Sequence, residues 1–232
     1  MRIVHPDFEI LAIYGGPKTI EAAGRTCYKS EDKITSDSAK KFVAMIRDRG
    51  HHSVLEHSLL SVKIICDRGV THEIVRHRLA AYSQESTRYV NYKGGCTFVA
   101  PPWTGFLQGE YRLESGLTYR REEGAKIHMD IRDSPADVWL WHMFVCENNY
   151  KLLIEQGWSP QEARSVLPNS TKTEIVVTAN FREWRHIFTL RCSSDAHPQM
   201  REVMYPILTE VQRKVPVIFD DLIWFREKRF TG

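Results

Sequence analysis

The sequence predicts an α+β fold: a single domain over residues 1–232, with a small mixed or antiparallel sheet flanked by helices. Three observations predict it. Helical periodicity dominates the chain, only a few short runs alternate as strands do, and those runs do not follow the regular order of a βαβ sheet. At 232 residues the chain is long enough to bury a full hydrophobic core.

Residues 17–29 and 36–49 read as helices. In the second, Ser36 to Ser38 offer a cap, Ala39, Phe42, Val43 and Ile46 share one face, and Gly50 ends it. Residues 58–66 (SLLSVKIIC) read as a strand, and a short helix over about 70–80 follows. Residues 94–133 are the least regular. They open with a strand, CTFVA, which Pro101-Pro102 stops. Charged residues then dominate, and 104–133 reads as an excursion from the core, partly helical. Ser134-Pro135 starts a helix whose stripe of Val138, Trp141, Val145 and Leu152 runs out towards Gly157. Ser159-Pro160 starts a shorter one, and Pro168 follows it closely. Residues 172–179 alternate as a strand. A helix from about Asn180 to Arg191 comes next. The last long helix, 198–214, places Met200, Val203, Met204, Ile207, Leu208 and Val211 at helical spacing.

Composition narrows the function. Hydrophobic residues make up 42% and charged residues 26%, which excludes disordered, collagenous and coiled-coil chains. No run approaches the ~18 apolar residues of a membrane span. The first twenty residues lack a secretory signal, so the expected location is cytoplasmic. A net charge of +3 is too small to imply nucleic-acid or membrane binding. Of the 32 basic side chains 20 are Arg, which points either to anionic ligands or to genomic base composition. The five cysteines are widely spaced with no C-x-x-C pair, so reduced thiols are expected rather than disulfides or a Cys-rich zinc site.

No P-loop, G-x-G-x-x-G or G-x-S-x-G motif is present. His72 and His77 flank a zincin-like run but stand five residues apart, so a helix would turn them away from a common metal; no metal site is expected. Two basic clusters remain. Residues 76–89 (RHRLAAYSQESTRY) combine three arginines, a histidine and several hydroxyls just past a helix end, where Arg76 and Arg78 would project to different sides. Guanidinium, hydroxyl and backbone N–H groups together suit a phosphate joined to a sugar or base; a solvated helix end is the plain alternative. In residues 180–191, Trp184, Ile187 and Phe188 form an apolar stripe, with Arg182, Arg185 and His186 opposite. Arg191 falls in the middle of that stripe, so it either snorkels at the helix end or sits buried with a partner. A nucleic-acid-binding module and a metal-dependent hydrolase are the rival readings of these clusters.

These residues carry a family resemblance. Arg76-His77-Arg78, seven residues, then Ser86 resembles the R-H-R-x7-S signature of flavin-dependent thymidylate synthases. The longer pattern, R-H-R-x-x-S-x-N-E-x-S-x-R-Y, is kept at Arg88 and Tyr89 and departs at Ala81, Ser83 and Gln84. Gly50-His51-His52-Ser53 with Glu56-His57, Ala163-Arg164 through Pro168, and Asn180 through Arg191 to Asp195-Ala196-His197 resemble three further family segments. Residues 104–133 match none.

The resemblance implies methylation of dUMP to dTMP, with 5,10-methylenetetrahydrofolate as carbon donor and NADPH as reductant through bound FAD. It also implies a homotetramer with active sites at subunit interfaces, and no nucleic-acid or membrane partner. It implies that Arg191 stabilises negative charge on the uracil ring near N3, as a guanidinium in a low-dielectric pocket would. The implied FAD contacts are Ser53, Arg76, His77, Arg78, Gln84, Asn180, Phe181, Arg182 and His186. The implied dUMP contacts are Gln84, Glu85, Ser86, Thr87, Arg88, Arg164 and Arg191, with Glu73, Ile74, Val75 and Arg76 from another subunit. Ser86 has no adjacent base except Glu85, whose side chain should point elsewhere, so it is read as a hydrogen-bond donor rather than a nucleophile.

Overall fold

The computed structural model describes residues 1–114, 118–121, 126–128 and 134–222. The chain folds into two small sheets with helices packed on them. The first sheet is antiparallel, in the order β2 (Asp7–Tyr14), β3 (Leu59–Asp67), β9 (Lys172–Asn180), β4 (Ala80–Gln84). The second is mixed, in the order β5 (Thr97–Val99), β1 (Arg2–Val4), β6 (Gly109–Glu114), β7 (Thr118–Arg121), β8 (Lys126–His128). β1 and β5 run parallel; the other pairs are antiparallel.

Alternation along β3 and β9 builds the main core. Leu60, Val62 and Ile64 point inward from β3, and Ile175, Val177 and Ala179 from β9. Three helices cover that face. They are α2 (Ser38–Asp48) with Phe42, Val43 and Ile46, α6 (Phe181–Arg191) with Phe181, Trp184, Ile187 and Phe188, and α7 (Pro198–Lys214) with its whole expected stripe. Trp184 is fully buried, and its indole N–H donates to the Leu60 carbonyl at 2.9 Å. A second cluster gathers Ile3, Phe98 and Tyr111 of the mixed sheet against Leu140, Met143, Phe144 and Tyr150 of α4 (Pro135–Glu155).

The other helices are α1 (Pro17–Tyr28), α3 (Arg68–Ile74) and α5 (Pro160–Ala163), and a 3-10 turn covers His52–His57. Ser134 caps α4 by accepting the Asp137 N–H, and Ser159 and Glu162 form a reciprocal box at α5. No helix among the described residues is long and apolar enough to cross a membrane.

Two expectations need correction. The helix anticipated over 70–80 begins earlier and stops at Ile74, so Arg76 and Arg78 stand on the turn beyond it. Tertiary contacts set that stop. The Tyr82 hydroxyl lies within hydrogen-bond reach of the Ile74 and His77 carbonyls, and residues 80–84 pair with β9 as a strand. From Gly109 onward, the excursion at 104–133 is strand where it is described, after a loop over 104–108. β6 takes the edge of β1 that β5 leaves open, with Tyr111 buried beneath it, and β7 and β8 extend the ladder. The remainder of 104–133 lies outside the described residues.

Candidate functional site

The site is built where α3, the turn after it and α6 meet. Asp67 caps α3 by accepting the Val70 N–H at 2.7 Å. Asn180 caps α6 by accepting the Glu183 N–H at 2.8 Å, which fixes the start of the second basic cluster directly at the end of β9. Between these elements lies an open cleft of about 1140 Å³. His52, Glu56, Arg76, His77, Arg78, Leu79, Asn180, Arg182, Glu183, Arg185, His186, Thr189, Leu190 and Arg191 line it. The two basic clusters, a hundred residues apart in sequence, therefore share one wall.

Arg191 is half-buried and held by partners rather than snorkelling. Its side chain is 18% exposed. Nε–H donates to His77 Nε2 at 3.0 Å, one Nη1–H to Glu73 Oε2 at 2.6 Å, and one Nη2–H to the Glu73 carbonyl at 2.9 Å. A guanidinium carries five N–H donors. Among the described residues three are engaged, which leaves two for a ligand in the cleft. His77 is buried, with Nδ1 3.6 Å from Glu183 Oε1 and its ring edge-on to His186 at 5.6 Å between centroids. Burial lowers its pKa to about 4, with Arg191 and His186 pushing the same way. The ring is thus neutral at pH 7, as accepting from Arg191 requires. Burial and the Glu183 carboxylate push the Tyr82 hydroxyl up to about 12, so it stays protonated on its two carbonyls.

The remaining cleft groups differ in availability. Arg76 and Arg78 are exposed and have no side-chain partner among the described residues. Arg182 pairs with Glu56 at 2.6 Å on the rim. Arg185 is committed to Asp221, through two 2.6 Å bonds, and to the Ile218 carbonyl. Ser53 is exposed on the turn beside His52. Phe181 points away from the cleft: its side chain is fully buried against Phe219. Ile74 is likewise a core residue, whereas Val75 is exposed.

The expected contacts at 84–88 form a separate strip along β4 and beyond. None of Gln84, Glu85, Ser86, Thr87, Arg88 or Arg164 lines the cleft. Arg164 Nη1 donates to Thr87 Oγ1 at 3.4 Å, bringing those two segments together. Arg88 is exposed and lies over the Tyr89 ring at 5.4 Å. Glu85 is held by the Tyr92 hydroxyl at 2.6 Å and Lys172 Nζ at 3.1 Å. Lys172 and Lys63 both pair with Glu174, and those hydrogen bonds hold its carboxyl below the usual range. Gln84, Glu85, Lys63 and Glu174 border a hollow of about 410 Å³ on this face. The cleft and this hollow share no lining residue.

Sequence reasoning did not single out Tyr82, Glu183, Tyr92 or Lys172. Glu183 lay inside a noted cluster, but a surface i+3 carboxylate reads the same in sequence as this buried one. Lys172 opens a strand and gives no motif at all. Among the described residues, no three His, Cys, Asp or Glu side chains are grouped to hold a metal.

A family profile described as thymidylate synthase complementing protein matches residues 9–217. A flavin-dependent thymidylate synthase from Mycobacterium tuberculosis (strain H37Rv) is 34% identical over 214 residues, covering 89% of this chain and 80% of that protein. One from Mycobacterium sp. (strain KMS) is 36% identical over 210 residues, with the same coverage. Among solved structures, the UMP/dUMP methylase PolB from Streptomyces cacaoi bound with 5-Br dUMP superposes with a TM-score of 0.73 at 21% identity, covering 95% of this chain and 96% of that one. At that identity the likeness establishes the fold. Profile and relatives both span most of the sequence, and the chain belongs to the thymidylate synthase complementing protein family.

Proposed function

We propose that this chain methylates dUMP at C5 to give dTMP, with 5,10-methylenetetrahydrofolate as carbon donor and NADPH as reductant through bound FAD. The observation that carries the reading is the shared cleft. It brings Arg76, Arg78 and Arg191 to one wall, in a chain whose relatives bear the flavin-dependent name. The cleft fits a dinucleotide. It exceeds the ~300–1,000 Å³ of ordinary small-molecule pockets, and the Arg76 and Arg78 guanidinium groups, unpaired among the described residues, suit two linked phosphates.

Arg76 and Arg78 would hold the phosphates of FAD, with Asn180, Arg182 and His186 along the cleft and Ser53 on the turn next to its lining residue His52. Bound flavin supplies the reducing equivalents that turn the transferred one-carbon unit into a methyl group. Arg191 is a pre-oriented cation in a half-buried site. It stabilises negative charge on the pyrimidine, and pre-orientation removes the cost of arranging it during the reaction. Glu73 holds it through two hydrogen bonds.

The strip at Gln84 to Arg88 with Arg164 suits the nucleotide phosphate and sugar. Because strip and cleft are separate on one chain, we place the complete site between copies. The strip of one copy faces the Glu73 and Arg191 wall of another, in a homotetramer.

The test is tritium release from C5-labelled dUMP, with product identified as dTMP. We expect purified protein that takes up FAD and forms dTMP only when folate donor and NADPH are both present. Protein that binds no flavin and forms no dTMP overturns the proposal.

A further inference from the structure

We infer that His77 is a positioning residue for Arg191, and that the lone pair of its Nε2 sets the direction in which the guanidinium faces the cleft. The inference deepens the reading above and rests on it. A guanidinium on four side-chain bonds swings freely unless its Nε edge is fixed, because Nη contacts alone allow it to pivot. Here the Nε edge has one acceptor, His77 Nε2 at 3.0 Å. The Glu73 contacts fix the other two nitrogens, so the whole plane is defined. The two remaining N–H groups are left on the Nη side.

His77 is itself held on every side. Its carbonyl lies 2.6 Å from the Tyr82 hydroxyl, its amide donates to the Ile74 carbonyl at 3.1 Å, and its ring packs beneath α6. The charged or titratable groups that face it are Arg191, Glu183 and His186 from α6, Glu73 from α3 through Arg191, and Tyr82 from β4. The His77 side chain is 4% exposed, so little of it meets the cleft it helps to line. An imidazolium at this position would lose its acceptor and repel Arg191, so the ring serves as a neutral acceptor.

The experiment compares His77→Leu and His77→Gln with the unsubstituted enzyme. Leu has no acceptor, whereas Gln carries an amide oxygen near the place of Nε2. We expect His77→Leu to lower kcat for dTMP formation by about 10- to 100-fold, the effect of one hydrogen bond to a charged group. KM for dUMP and flavin content should stay within threefold, and His77→Gln should recover kcat to within about fivefold. Unchanged kcat in His77→Leu overturns the inference, as does a loss that appears only in flavin content and that Gln does not rescue.

If the leucine protein does not fold, Gln decides alone: near-normal kcat upholds the claim and a hundredfold loss in folded, flavin-loaded protein overturns it. An unsubstituted chain that makes no dTMP would fail the functional reading instead. The positioning claim is then judged by unfolding. A double-mutant cycle of His77→Leu, which has no acceptor, with Arg191→Lys should show about tenfold coupling in the unfolding constant, and additivity would overturn it.

Discussion

Acidification should destabilise this protein through His77, and the size of the effect follows from the site. The ordinary imidazole value is 6.5, and the buried ring beside Arg191 titrates at about 4. The folded-state pKa is depressed, so the unfolded chain takes up a proton at higher pH than the folded one. Stability is therefore undiminished above pH 6.5 and falls as pH drops towards 4, with no further loss below that. Full titration corresponds to about 3 kcal/mol, of which about 2 kcal/mol is lost between pH 7 and pH 5.

Urea unfolding at both pH values measures it, for the unsubstituted chain and for His77→Gln, which cannot protonate. The unsubstituted chain should lose about 2 kcal/mol more than the variant. Glu202 works in the opposite direction, because burial raises its carboxyl to about 7 and protonation then favours the fold, but it is common to both proteins and cancels. Equal losses in the two proteins would refute the picture of a ring held neutral against Arg191.

Three further outcomes follow from the same contacts. Ser86→Ala should retain measurable dTMP synthesis while Arg191→Ala loses most of it, about 100- to 1,000-fold in kcat, in a steady-state assay of product. Trp184→Ala should cost about 3–5 kcal/mol in urea unfolding, since it removes a fully buried ring and leaves the Leu60 carbonyl without its donor. Native protein should show one fast-reacting thiol towards a disulfide reagent, Cys27. Cys66, Cys96, Cys146 and Cys192 are buried, and burial raises each of those four, Cys96 and Cys192 to about 12.

The legible parts of the fold are those where one face of an element meets one core. The stripe of α7 and the alternation of β9 each survive intact because every residue faces a single environment. β2 shows how that legibility fails. Phe8 and Ile10 point inward, a bulge at Leu11 shifts the register, and Ile13 takes the inward place, so the period of two is broken within eight residues. The end of α3 was invisible for another reason. Nothing in Val75 to Leu79 forbids a helix; Tyr82 and the pairing with β9 impose the turn from outside the segment.

At the site, the arginines were readable because the residue type itself advertises anion binding. The position of Arg191 on an apolar stripe also raised the buried alternative that the structure selects. Its partners were not readable as partners: Glu73 and His77 lie more than a hundred residues away, and the bonds join side chains brought together by the fold. Lys172 and Tyr92, which fix Glu85, belong to no local pattern.

The central claim is that the cleft of one copy and the 84–88 strip of another make one active site. Mixing subunits tests it most directly. Arg191→Ala and Arg164→Ala chains, each feeble alone, are denatured together and refolded, and dTMP formation is compared with each variant refolded separately. The account predicts recovery to a sizeable fraction of unsubstituted activity, because some hybrid sites combine an intact cleft with an intact strip. Activity no higher than that of the separate variants, in hybrids shown to have formed, would mean that both surfaces serve a site within a single chain.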